Sequence, residues 1–184
     1  MTRDRNFIAA VQESYPNSDC LLHGSAPKLL VAESQFGRSE LFPITETVSD
    51  QLQGFLISNP QGKEIHLLAV DHCLFGPADP SRCDCIVFDD KFFCFVELKV
   101  GVGLRKSAAN LNEARDQLGA TIRYFRGNAH SIDTYGFVLE AYVVMRSDVY
   151  PKHSNRWLQV SVAFLEKYGV RLFERNEKVF EQTD

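Results

Sequence analysis

Residues 92–100 read Phe92-Phe93-Cys94-Phe95-Val96-Glu97-Leu98-Lys99-Val100, a run that is apolar except for Glu97 and Lys99. Strand side chains alternate between two faces, so Glu97 and Lys99 share one face and Val96, Leu98 and Val100 occupy the other. The preceding run, Cys83 to Phe88, is also strand-like. Asp89-Asp90-Lys91 supplies a turn, and the two runs read as a β-hairpin. A loop of two or four residues keeps Asp84 on the face of Glu97 and Lys99. With four residues (89–92) Asp84 lies opposite Glu97, and with two it lies diagonal to it. An odd-length loop would put it on the other face. Opposite Cβ atoms are ~4.5–5.5 Å apart, close enough for two carboxylates to share one cation.

Such charges need a reason. Burying them in an apolar strand is costly unless they are paired or bound to metal, and adjacent carboxylates repel. A hard ion such as Mg²⁺, or Mn²⁺ in its place, resolves the conflict because carboxylate oxygens are its preferred ligands. Lys99 beside them is a point charge for phosphate or for a developing anion. This is the residue set of metal-assisted phosphodiester hydrolysis. The rival D-x-K match, Asp89-Asp90-Lys91, falls in a polar turn and reads as solvated.

Elsewhere, residues 4–14 suit an amphipathic helix, 28–33 a strand, and 45–58 a helix with Val48, Leu52, Phe55 and Leu56 on its apolar face. Ile65 to Val70 reads as a buried strand, and 107–126 as the longest helix. Gly136 to Met145 is a strand, 155–168 a helix, and 170–173 with 178–180 a closing strand or hairpin. Strands alternating with helices argue an α/β fold, a mixed sheet flanked by helices. The chain has 184 residues, 45% hydrophobic and 24% charged, which suits one globular domain over 1–184 and excludes a disordered chain. No apolar run approaches the ~20 residues of a membrane span, and the first residues lack an export signal, so a cytoplasmic address is expected. The five cysteines then read as reduced thiols, with Cys83, Cys85 and Cys94 as small core residues.

The net charge of −4 conceals an uneven distribution. Residues 1–98 balance to −7 and residues 99–175 to +5, so a localised positive face is available on the second half. Arg115, Arg123 and Arg126 on the long helix either line a nucleic-acid groove or are simply solvated, and Arg105 and Lys106, near its start, are candidates for phosphate contacts. Asp71-His72, after the 65–70 strand, offers a further ligand or base, or a turn cap. Motifs of nucleotide-binding loops, serine hydrolases and zinc proteases are missing from the sequence.

The spacing Asp84, twelve residues, then Glu97-Leu98-Lys99 resembles the PD-(D/E)xK nuclease superfamily, whose fold is restriction-endonuclease-like. The likeness spans roughly residues 45–147, leaving 1–44 and 148–184 as elaborations. It implies that Asp84, Glu97 and the Leu98 backbone carbonyl hold Mg²⁺ or Mn²⁺, and that Lys99 is catalytic. It also makes Gln117 the counterpart of a glutamine found on the following helix in some branches. Glu46 or Asp50 would supply an acidic residue on the preceding helix. Cys83 stands where the motif has proline. The implied function is Mg²⁺-dependent hydrolysis of DNA or RNA, with nucleic acid as partner and a homodimer or protein partner as a further option. The alternative is a catalytically silent module of the same fold that binds a protein or nucleic acid. A structural ion-pair cluster in an unrelated α/β domain is the third reading.

Overall fold

The structure is a computed structural model describing residues 2–16, 19–44, 53–76, 78–100, 107–127, 131–145 and 155–181. The expected ligands Glu46 and Asp50 and the basic pair Arg105 and Lys106 lie outside the described residues.

The described elements are helices α1 (Arg3–Ser14), α2 (Ser107–Gly127) and α3 (Asn155–Tyr168) and ten strands. In chain order these are β1 (Leu21–Gly24), β2 (Lys28–Glu33), β3 (Ser39–Pro43), β4 (Phe55–Ser58) and β5 (Ile65–Ala69). They continue with β6 (Cys85–Phe88), β7 (Phe92–Lys99), β8 (Val138–Met145), β9 (Arg171–Glu174) and β10 (Glu177–Val179). One sheet has six strands in the order β1-β5-β6-β7-β8-β9, antiparallel through β7 and parallel from β7 to β9. The other runs β10-β4-β2-β3, with β10 parallel to β4. The chain is thus a mixed α/β fold with two mixed sheets.

The six-stranded sheet is covered on both faces. On one face Phe7 and Val11 of α1, Leu111, Leu118 and Ile122 of α2 and Phe164 of α3 pack on Ile86, Phe88, Phe93, Phe95 and Val143. On the other, Leu29, Val31, Phe55 and Ile57 of the smaller sheet meet Leu67, Val87, Cys94, Val96 and Val144. Double coverage explains why β6 and β7 read as unbroken apolar runs rather than as alternating ones. It also buries Glu97 and half-buries Lys99 on β7.

Three expectations are corrected. Residues 55–58 form a strand, not the end of a helix. Phe55 and Ile57 are fully buried while Leu56 and Ser58 are half-buried, a period of two. Residues 45–52 lie outside the described residues. Short apolar runs fit either period, and pairing with β2 (Leu29↔Ile57, Val31↔Phe55) decides the matter here. The closing segments do not pair with each other, since β9 joins the large sheet and β10 the small one. The cysteines are not all reduced, for Cys20 and Cys73 form a disulfide with Cα atoms 5.6 Å apart. These residues are 53 positions apart in sequence and meet because β1 and β5 are neighbours, with Leu21 opposite Leu68. Cys83, Cys85 and Cys94 are free and buried, as expected.

Among the described residues, no helix is long and apolar enough to cross a membrane.

Gly54, just before β4, permits the close approach of the chain to β2, because a Cβ there would lie 2.3 Å from the Val31 carbonyl oxygen. Gly54→Ala is therefore expected to cost about 1–3 kcal/mol in urea unfolding. An unchanged midpoint would contradict this β2–β4 approach.

Candidate active site

The hairpin register is Phe88↔Phe93, Val87↔Cys94, Ile86↔Phe95 and Cys85↔Val96, which closes a four-residue loop. Asp89 organises the turn: its carboxylate accepts the amides of Lys91 (2.9 Å) and Phe92 (2.6 Å), and Lys63 approaches within 3.6 Å. Asp89 is almost fully buried, so it is not the solvated turn acid that the sequence suggested. One further step of this register sets Asp84 opposite Glu97, the arrangement expected for a four-residue loop.

At that step the ladder opens. The Leu98 amide donates to Asp84 Oδ2 rather than to the backbone of β6. The Cys83 amide turns instead to Thr121 Oγ1 of α2, at 2.8 Å. The Asp84 backbone is held from the other side, its carbonyl accepting Val70 N (2.9 Å) and Asp71 N (3.2 Å). Amide and carbonyl of one strand residue point the same way, so the Leu98 carbonyl also faces the Asp84 side. The splay thus gathers two carboxylates and one backbone carbonyl where β6 and β7 part.

Lys99 closes the site from above. Its Nζ lies 2.7 Å from Glu97 Oε1, 2.9 Å from Gln117 Oε1 and 3.3 Å from Glu113 Oε1. Gln117 Nε2 donates in turn to the Arg82 carbonyl, at 3.3 Å. Glu113 and Gln117 are one helical turn apart and therefore present one face of α2 to the hairpin. Glu97 is 1% exposed, and its second oxygen, Oε2, is buried without a hydrogen-bond partner.

Protonation follows from burial. Desolvation pushes the Asp84 carboxyl up to about 6, against the Leu98 amide and Lys99, with Asp71 and Glu33 adding like-charge repulsion. Desolvation and the neighbouring Asp84 charge drive Glu97 well above the usual carboxylate range, although Lys99 and then the Asp84 backbone amide oppose them. Burial works to lower the Lys99 ammonium, but Glu97 and then Glu113 outweigh it and raise it overall. Lys99 is therefore a fixed cation at neutral pH and not a general base.

The structure brings together Asp84, Glu97, Lys99, Gln117 and the Leu98 backbone. It leaves others aside. The Asp71 carboxylate is 3.5 Å from His72 Nε2, and the His72 ring packs against Gly37. Among the described residues, only Asp19, Cys20 and Cys73 place three Asp, Glu, His or Cys donor atoms mutually within 4.8 Å, and both cysteines are in the disulfide. Asp71 and His72 thus do not stand as third donors beside Asp84 and Glu97. Arg115 sits two residues from Glu113, about 200° around the helix, and contacts Asp116 at 3.0 Å. Arg123 donates to the Tyr168 hydroxyl at 2.8 Å, and Arg126 pairs with Asp133 at 3.0 Å. The sequence reading missed Glu113 and Thr121; their i−4 and i+4 spacing from Gln117 was the available signal. A separate cavity of about 560 Å3, lined by Glu140, Tyr142, Phe173, Arg175 and Lys178 among others, involves neither Asp84 nor Glu97.

Comparison with protein-family models, curated proteins and solved structures found no match to this chain.

Asp84 keeps its proton up to about pH 6 when folded and only to about 3.8 in its ordinary state. The folded chain binds more protons across that interval, so stability falls as pH rises through it. In metal-free buffer at pH 7.5, Asp84→Asn should be more stable than the parent by on the order of 1–3 kcal/mol. The gain should vanish below about pH 4, where both states of the parent carry the proton. Urea unfolding from pH 3.5 to 8 measures both. A variant less stable throughout would show that the Asp84 charge is compensated inside the protein.

Proposed function

We propose that this chain is a divalent-metal-dependent phosphodiesterase of nucleic acid, a nuclease of the PD-(D/E)xK kind acting on DNA or RNA. The observation that carries the reading is Glu97 Oε2, a buried carboxylate oxygen without a hydrogen-bond partner, beside the half-buried Asp84 carboxylate. A cation fits that donor set. Asp84 and Glu97 would hold Mg²⁺ or Mn²⁺, with the Leu98 carbonyl on the same side. The ion would neutralise the carboxylates, activate a water and polarise the phosphate.

The chain's own groups have separable tasks. The Leu98 amide and the clamped Asp84 backbone fix the Asp84 carboxylate in direction. Gln117, braced on the Arg82 carbonyl, and Glu113 hold Lys99 over Glu97. Lys99 keeps its proton and supplies positive charge and hydrogen bonds to a phosphate oxygen or to the attacking water. The positive balance of residues 99–175 supports a polyanionic substrate. The splayed hairpin ahead of α2 supports a restriction-endonuclease-like core. A second reading, a structural ion-pair cluster, draws on the three acceptors already around Lys99 Nζ. It leaves Glu97 Oε2 unexplained.

With Mg²⁺ or Mn²⁺, the purified chain should cut plasmid or oligonucleotide substrates, and a chelator should stop it. Glu97→Gln and Lys99→Gln should each lower the rate by on the order of 10²–10³-fold while leaving the far-ultraviolet dichroism unchanged. Cutting by both variants at the parental rate would reject the assignment.

A further inference from the structure

At the far edge of the large sheet, four chemistry-bearing residues converge from three parts of the chain. Asp4 lies in the first turn of α1. His23 of β1 is directly opposite His66 of β5, and Glu64 precedes β5 two residues before His66, on the same face. His66 is 95% buried (5% exposed) and stacks on Phe88 at 5.1 Å, which fixes its ring. Its Nε2 has no partner nearer than the Asp4 carboxylate, at 3.5 Å. Asp4 is also buried, and Thr2 and the Arg5 amide stabilise its charged carboxylate.

The surroundings of that nitrogen are specific. Asp4 Oδ2 lies 3.5 Å from His66 Nε2, and Glu64 Oε2 lies 4.0 Å from it on another side. His23 Nδ1 is 3.1 Å from the other oxygen of Glu64. Donors on a tetrahedral ion with ~2.1 Å bonds are ~3.4 Å apart, close to these separations. As placed, the donors do not close into a set mutually within 4.8 Å. Glu64 and His23 have side chains 53% and 69% exposed, so rotation of these two is free to close it.

The geometry points to a site for a borderline divalent cation of the Zn²⁺ class, formed by Asp4, His23, Glu64 and His66. Two imidazoles with two carboxylates select such an ion over Mg²⁺. Bound metal would tie α1 to strands β1 and β5. It is independent of the Asp84–Glu97 site, which takes hard ions.

The test is calorimetric titration of the untagged, disulfide-intact full chain with Zn²⁺, using Co²⁺ visible absorption as a second readout. The Asp84→Asn/Glu97→Gln double variant should still bind one equivalent at this site. Glu64→Gln and His23→Asn, both at exposed positions, should each weaken that binding 10–100-fold, an order typical of lost metal support. Should the buried variant His66→Asn fail to fold, those two still decide the question. The proposal is overturned if Zn²⁺ does not bind, if binding survives Glu64→Gln and His23→Asn unchanged, or if the double variant alone removes it.

Discussion

The structure turns on the burial of one carboxylate. Glu97 sits in the third-last apolar register of β7, with helices on one side of its sheet and a second sheet on the other. Its neighbour across the hairpin is another acid. In such surroundings, charge is tolerated only when paired, and one Glu97 oxygen already has Lys99. The other, Oε2, is buried without a hydrogen-bond partner, although the Asp84 backbone amide is near enough to the carboxyl to favour its charged form. The rest of the site is arranged around that imbalance.

The arrangement depends on the layers. Because β6 and β7 are covered on both faces, Glu97 is closed off from water and Asp84 is half-buried, and desolvation dominates the protonation of both. Because the β6–β7 ladder opens at Leu98, the Asp84 carboxylate fills the place of a strand carbonyl and is aimed by a backbone amide. Because α2 crosses β7, Gln117 and Glu113 reach Lys99, while Thr121 takes the Cys83 amide freed by the opening. The same helix therefore holds the strand apart and positions the lysine. Its remaining arginines do other work: Arg123 and Arg126 tie α2 to Tyr168 at the end of α3.

The site was legible in the sequence where it was local. Alternation within residues 92–100 put Glu97 and Lys99 on one face, and an even-length turn was enough to bring Asp84 to it. Gln117 was reached only through resemblance, and the structure places it against Lys99. Glu113 was missed because an exposed glutamate on a helix reads as solvated until its partner is known. The fold was less legible where strands pair at long range. Phe55-Leu56-Ile57 carries no period long enough to choose between helix and strand, and β2 makes the choice. Cys20 and Cys73 meet only through the β1–β5 pairing, which leaves no local mark. Asp89 looked solvated because turns usually are, yet Lys63 and two amides enclose it.

The most direct measurement is a crystal structure of the chain soaked in Mn²⁺, read by anomalous scattering. The account requires a peak bonded to Asp84 and to Glu97 Oε2, with Lys99 still on the other Glu97 oxygen. A crystal at saturating Mn²⁺ in which Glu97 Oε2 stays unbound and no ion lies between the two carboxylates would contradict it.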